Sequence, residues 1–217
     1  MNDINIFLIR HGESFGNLSN DTIGQAAGTE LTPKGIEQAQ KLGQRLSNLP
    51  TPDFVATSSY KRAMDTCSIV SDVSKWNVKP DITDILVEYN PGDWMGMKRS
   101  EMYKNPKNLQ DITYKNMGFK FPGVGGESYH RVERRAATYI EDAIIYNEDI
   151  LSLAEKKEVN TVLFSHGMTI KAALHYAMGF DSSFMWKVRI GNTSISHLVW
   201  NDKGWFLDSI NDCGHLL

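Results

Sequence analysis

The chain has 217 residues, 41% hydrophobic and 23% charged, with 23 Lys plus Arg against 26 Asp plus Glu for a formal net charge of −3. That is one domain's worth of chain, long enough to bury a core without disulfide or metal staples. A general nucleic-acid or anionic-membrane surface needs a basic excess, and this balance excludes one while leaving room for a local basic pocket.

In chain order, Asn5–Ile9 is an apolar run suited to a strand covered on both faces. A polar loop follows from Gly12 to Glu30. Thr32 then caps a helix with Pro33 at its first position, and Ile36, Ala39, Leu42 and Leu46 mark its apolar face before an end near Pro50 or Pro52. Asp53–Thr57 reads as a second strand, with Ser58 and Ser59 as caps for a helix starting near Tyr60. Asp81–Val87 reads as a third strand ending just before Glu88. Residues 89–126 are glycine- and proline-rich, with a short helix around Ser100–Lys104, and read as an excursion that covers something. A long helix starts at Glu127, with Val132, Ala136, Ile140, Ala143 or Ile144, and Leu151 on one face. Val159–Phe164 is another apolar strand, followed by a helix from about Thr169 to Met178 that closes at Gly179. Ser194–Trp200 and Trp205–Leu207 form a terminal hairpin. This alternation indicates a single α/β domain over 1–217, a three-layer sandwich with a mostly parallel central sheet. Cys67 and Cys213 make no disulfide framework, there is no signal-peptide pattern, and no apolar stretch spans a bilayer, so the expected compartment is the cytoplasm.

Ligands of such folds bind beyond the carboxyl ends of the strands, and His11, Ser58, Glu88 and His166 all fall there. Arg10 offers a planar fork for a phosphoryl group, the adjacent His11 a nucleophile or base, and Gly12 a tight turn. Ser165-His166-Gly167 repeats the theme. Arg62 sits one turn into a helix whose first amides would meet the same anion; its competing reading is a surface ion pair with Asp65 or Glu141. Glu88 is the candidate proton donor. A Gly-x-Ser-x-Gly elbow and zinc-ligand spacings are absent.

Arg10-His11-Gly12-Glu13-Ser14, Leu31-Thr32-Pro33-Lys34-Gly35, Arg62-Ala63-Met64-Asp65-Thr66, Glu88 and Ser165-His166-Gly167 together resemble the histidine phosphatase superfamily. The likeness runs from Ile4 to about Val199. It implies a phosphoglycerate mutase-like fold, no metal or other cofactor, and a small phosphorylated metabolite as the partner; monomer and homodimer both stay open. By that resemblance His11 is the phosphorylated nucleophile. Arg10, Arg62 and His166 complete the phosphate pocket, with Asn17, Gly24 and Gly167 beside it, and Glu88 is the acid. Gly126-Glu127-Ser128 and Asn192-Thr193 also resemble family segments.

Glu88-Tyr89-Asn90-Pro91-Gly92-Asp93-Trp94-Met95-Gly96 looks like the phosphatase-type pattern, departing at Pro91 and Met95. Hydrolysis of a phosphate monoester is therefore expected ahead of phosphoryl isomerisation, with a catalytically silent phospho-ligand module third. Specificity is expected from the excursion. There Lys98, Arg99, Lys115 and Lys120 supply charge, and Trp94, Tyr103, Tyr114 and Phe119 an apolar wall.

Overall fold

The computed structural model describes residues 1–18, 22–24, 26, 28–102, 104 and 117–217. Six strands form one sheet: β1 (Ile4–Arg10), β2 (Phe54–Ser58), β3 (Asp81–Thr83), β4 (Val159–Ser165), β5 (Ile195–Asn201) and β6 (Gly204–Asp212), in the order β3-β2-β4-β1-β5-β6. β1, β4, β2 and β3 pair in parallel, while β5 and β6 close the other side antiparallel. The helices are α1 (Phe15–Leu18), α2 (Pro33–Leu46), α3 (Lys61–Ser74), α4 (Arg99–Met102), α5 (Tyr129–Ile140), α6 (Glu148–Ala154), α7 (Gly167–Met178) and α8 (Phe184–Lys187).

The strand alternation sorts the core into two layers. Ile4, Ile6 and Leu8 of β1 join α5, α6 and α7, whereas Ile9 joins α2 and α3 on the opposite face. This is the expected three-layer sandwich. A third apolar cluster has no sheet residue in it: Trp94, Met102, Met117 and Phe121 from the excursion pack on Tyr129, Val132 and Ala172. The excursion thus carries its own small core. No helix among the described residues is long and apolar enough to cross a membrane.

Three expectations change. β3 stops at Thr83 and continues as a single 3-10 turn, Asp84–Leu86. Its partner β2 ends at Ser58, opposite Thr83, so no further ladder exists to extend it. The long helix from Glu127 is broken by a π turn at Glu141–Ile145, and Asn147 caps a new helix through the amides of Asp149 and Ile150. The wide turn rotates the stripe so that Ile144 and Ile145 are both buried. On α2, Ile36 is exposed and Gly35 takes the inward position.

That exchange matters for the loop after β1. A Cβ on Gly35 would lie 1.9 Å from the Glu13 carbonyl oxygen, and one on Gly12 would lie 2.6 Å from the Gly35 carbonyl oxygen. The start of α2, capped by Thr32 Oγ1 accepting from the Gly35 amide at 3.0 Å, is therefore pressed against the loop that follows His11. Gly35→Ala should lower Tm by roughly 5 to 10 °C, since backbone must move on both sides. Gly28→Ala, where a Cβ would meet nothing within 4 Å, should stay within about 0.5 kcal/mol of the native protein. Thermal melts in which both variants match the native protein would refute the packing argument.

Candidate active site

β1 and β4 align Arg10 with Ser165, so the residues just beyond them, His11 and His166, leave the sheet side by side. Their ring centroids are 5.1 Å apart, and both side chains are buried at 2% and 0% exposure. The His11 backbone is held from three directions: its amide donates to Ser165 O at 3.1 Å, while its carbonyl accepts from Asn192 Nδ2 at 3.0 Å and from the Thr193 amide at 3.3 Å.

The hydrogen bonds also settle which His11 nitrogen is free. Nδ1 lies 2.7 Å from the Gly12 carbonyl oxygen, which only accepts, so Nδ1 carries the proton. Nε2 then holds a lone pair, and it accepts from Arg62 Nε at 3.2 Å. Burial first, then the nearby Arg10 and Arg62 cations, hold the His11 pKa well below its ordinary value. His166 is lowered the same way, by burial and then by His11, Arg62 and Arg10. Both rings are neutral at physiological pH.

Arg62 is 1% exposed, with its guanidinium 5.0 Å from the Tyr60 ring centroid and Nη1 donating to Ala26 O at 3.0 Å. Burial brings its pKa down to about 10, which still leaves it charged. The competing surface pairing is absent: Asp65 pairs with Lys61, and Glu141 accepts from Tyr176. Arg10 donates from Nη1 to Ile190 O at 2.6 Å. Its Nε and His166 Nδ1 are buried without a hydrogen-bond partner among the described residues. Two unsatisfied buried groups beside two cations constitute a site that an anion would complete.

Glu88 reaches the same place from an extended segment after the 3-10 turn. One oxygen accepts from the Met168 amide at 3.2 Å, at the start of α7, and the other from the Tyr89 amide at 3.1 Å. Glu127 fixes that segment by accepting from the Asn90 amide at 3.0 Å while paired with Arg135 at 2.9 Å.

A cleft of about 330 Å³ opens above these groups, lined among others by Arg10, His11, Asn17, Gly24, Arg62, Glu88, Arg99 and Gly167. Asn17 also closes the motif loop, its Oδ1 accepting from the Ser14 amide at 3.0 Å and from Asn192 Nδ2 at 3.2 Å. Gly24, at φ 71°, is packed by the side chains of Pro91 and Met95, the two departures from the phosphatase-type pattern. They pack against Gly24 and are not among the residues that line the cleft.

The specificity expectation divides. Arg99 lines the cleft, whereas Trp94 is buried among Phe119 and Phe121, and Lys98 is exposed outside the lining. Of the excursion's described aromatics, Trp94, Phe119 and Phe121 form its own core, whereas Tyr89 lines the cleft. Phe119 belongs to that core and Lys120 is exposed. Tyr103, Tyr114 and Lys115 lie outside the described residues. The lining residues missed include Lys171, Tyr89, Tyr129 and Trp186. Lys171 is four residues after Gly167 and so shares its helix face, the one signal available in the sequence. Its ammonium donates to Met185 O at 2.8 Å, and burial lowers its pKa. No cluster of metal-ligating side chains occurs among the described residues.

The profile described as histidine phosphatase superfamily, branch 1, matches residues 6–213. The chain belongs to that superfamily. Metal-independent phosphoserine phosphatase from Arabidopsis thaliana is 27% identical over 215 residues, covering 97% of this chain and 82% of that protein. A probable phosphoglycerate mutase from Erwinia tasmaniensis is 27% identical over 223 residues, covering 98% and 95%. The crystal structure of phosphoserine phosphatase from Entamoeba histolytica with 3-phosphoglyceric acid superposes with a TM-score of 0.81 at 24% identity, covering 99% of this chain and all of that one. That structural likeness shows the phosphoglycerate mutase-like fold.

Two histidines kept neutral by the fold make stability depend on pH. In the unfolded chain they titrate near pH 6.5, whereas the folded protein refuses their protons until well below that. The unfolded state therefore binds more protons as pH falls below about 6.5, and stability is lost there, by up to about 1.4 kcal/mol per pH unit for each group. Denaturant midpoints of the ligand-free protein should fall from pH 7 to pH 5, and His11→Asn should flatten that slope. An equally steep slope in the variant would contradict a neutral His11.

Proposed function

We propose that this chain hydrolyses small, carboxylate-bearing phosphate monoesters through a phosphohistidine at His11, without a metal. The carrying observation is the His11 Nε2 lone pair, which accepts from Arg62 in a cleft that Arg10 also lines, with Arg10 Nε and His166 Nδ1 buried without partners among the described residues. His11 Nε2 attacks phosphorus while the ester P–O bond breaks. Arg10, Arg62 and the α7 amides stabilise the charge on the transferred group. Glu88 protonates the departing oxygen, then takes a proton from the water that cleaves the P–N bond, releasing phosphate and restoring neutral His11.

The leaving-group class follows from charge. Arg10, Arg62, Arg99 and Lys171 line the cleft against one carboxylate, Glu88. Two arginines suffice for the phosphoryl group, which leaves Arg99 and Lys171 for a second anionic group. A carboxylate there agrees with phosphoserine and 3-phosphoglycerate, the compounds named with the similar Entamoeba histolytica enzyme. A phosphoglycerate mutase reading draws support from the Erwinia tasmaniensis relative and from the shared catalytic core. Product identity separates the two, since a mutase returns isomerised ester and needs a bisphosphate primer.

In excess chelator the protein should release phosphate from phosphoserine, 3-phosphoglycerate or an aryl phosphate. His11→Asn should lower kcat by about three orders of magnitude or more and abolish an acid-labile phosphoprotein. Glu88→Gln should slow alkyl esters more than aryl esters, whose leaving groups need no proton. Lys171→Met should raise KM for carboxylate-bearing esters by about tenfold while leaving the aryl phosphate nearly unchanged. Unchanged turnover in His11→Asn would overturn the mechanism, and equal KM effects on both substrate classes would overturn the carboxylate assignment.

A further inference from the structure

We propose that Ser58 is a positioning residue that holds His166 in its Nδ1–H tautomer, so that an uncharged imidazole presents a hydrogen-bond donor to the phosphoryl group. The inference rests on the phosphatase reading for the identity of that anion, but the tautomer assignment follows from hydrogen-bond accounting at Ser58.

Ser58 ends β2 and is fully buried, like His166. Its Oγ lies 2.8 Å from His166 Nε2 and also accepts from the Tyr60 amide at 3.2 Å. A hydroxyl has one proton to give, and among the described residues His166 Nε2 is the only acceptor within reach of it. If Nε2 carried the imidazole proton, the Ser58 hydroxyl proton would be buried without an acceptor, whereas Nδ1 lacks a partner among the described residues in either tautomer, so the hydroxyl alone discriminates. With the Ser58 proton directed at Nε2, the hydroxyl is satisfied and Nδ1 bears the N–H. The cost of leaving a buried hydroxyl proton unpaired selects the second arrangement.

The same choice decides what an anion meets. His166 Nδ1 has no partner, and Arg10 Nε, the other unpartnered donor, is 3.7 Å from where a Cβ on the next residue, Gly167, would stand. In the Nδ1–H tautomer both unpartnered nitrogens are donors. In the alternative it opposes a lone pair to a phosphoryl oxygen. Burial, then His11, Arg62, Arg10 and Arg135, keep the ring from solving this by taking a second proton. The two histidines then share one tautomer for opposite ends. The Gly12 carbonyl makes His11 present a lone pair to phosphorus, while the Ser58 hydroxyl makes His166 present an N–H to oxygen.

The test reads imidazole nitrogens by ¹⁵N NMR in the ligand-free full chain, with His166 assigned by the signal lost in His166→Gln. Native protein should show a protonated Nδ1 and a bare Nε2. Ser58→Ala should move His166 toward the other tautomer and weaken orthovanadate binding about ten- to a hundredfold, the range for a hydrogen bond to a charged group. Ser58→Thr, which keeps the hydroxyl, should restore both. A protonated Nε2 in the native protein would overturn the proposal even if Ser58→Ala failed to fold. An unchanged tautomer in Ser58→Ala would overturn it too, as would native-like vanadate affinity in that variant. Native protein that neither binds vanadate nor releases phosphate would instead sink the phosphatase reading, and the tautomer spectra would still decide the role of Ser58.

Discussion

β1 and β4 run side by side in parallel, and the ladder that aligns Arg10 with Ser165 sets the rest of the site. Side chains alternate along each strand, so a slip of one residue would turn Arg10 or Ser165 into the position now held by a histidine. The apolar residues of both strands are committed to two different cores, which makes such a slip costly. His11 and His166 therefore stand together because two hydrophobic layers demand it. The β5 connection reinforces the arrangement from the other side, with Asn192 and Thr193 bonding the carbonyls of Arg10 and His11.

The same burial creates the chemistry and its cost. Among the described residues neither Arg10 nor Arg62 forms an ion pair, and their hydrogen bonds go to neutral acceptors. Glu88 is the carboxylate that acts on both from a longer distance; the buried charge stays costly, and an anion arriving between the two recovers part of the lost interaction. Burial also denies the two histidines their protons, which is what a nitrogen nucleophile needs. A surface version of the same four residues would hold protonated histidines over part of the physiological range and would bind phosphate in competition with water.

The described residues of 89–126 are anchored on a core of their own, and Tyr89 is the aromatic among them that lines the cleft. Trp94 and Phe121 pack into a separate cluster on α5 and α7, while Glu127 ties the segment beside Glu88 to Arg135. Gly96 and Met97 bond to Ile23, which brings the wall of the cleft formed by Gly24 against Pro91 and Met95. Arg99 faces the cleft from this anchored frame.

The apolar runs, the cap at Thr32 and the ordered motifs determine the sandwich and place Arg10, His11, Arg62 and His166 at strand or helix ends, because those signals are local in the chain. The motif set also identifies the family. Tertiary structure decided the rest. β3 is short because β2 turns away at Ser58, and that lies 23 residues upstream of where β3 begins. The aromatic residues of the excursion were legible as apolar but not as core or ligand wall, since their alternation carries no period that distinguishes the two. Lys171 and Trp186 enter the cleft only when α7 and α8 fold back over it. The protonation state of each histidine depends on burial and on single acceptors or donors, Gly12 O and Ser58 Oγ, and a sequence lists those groups without bringing them within 3 Å of a ring nitrogen.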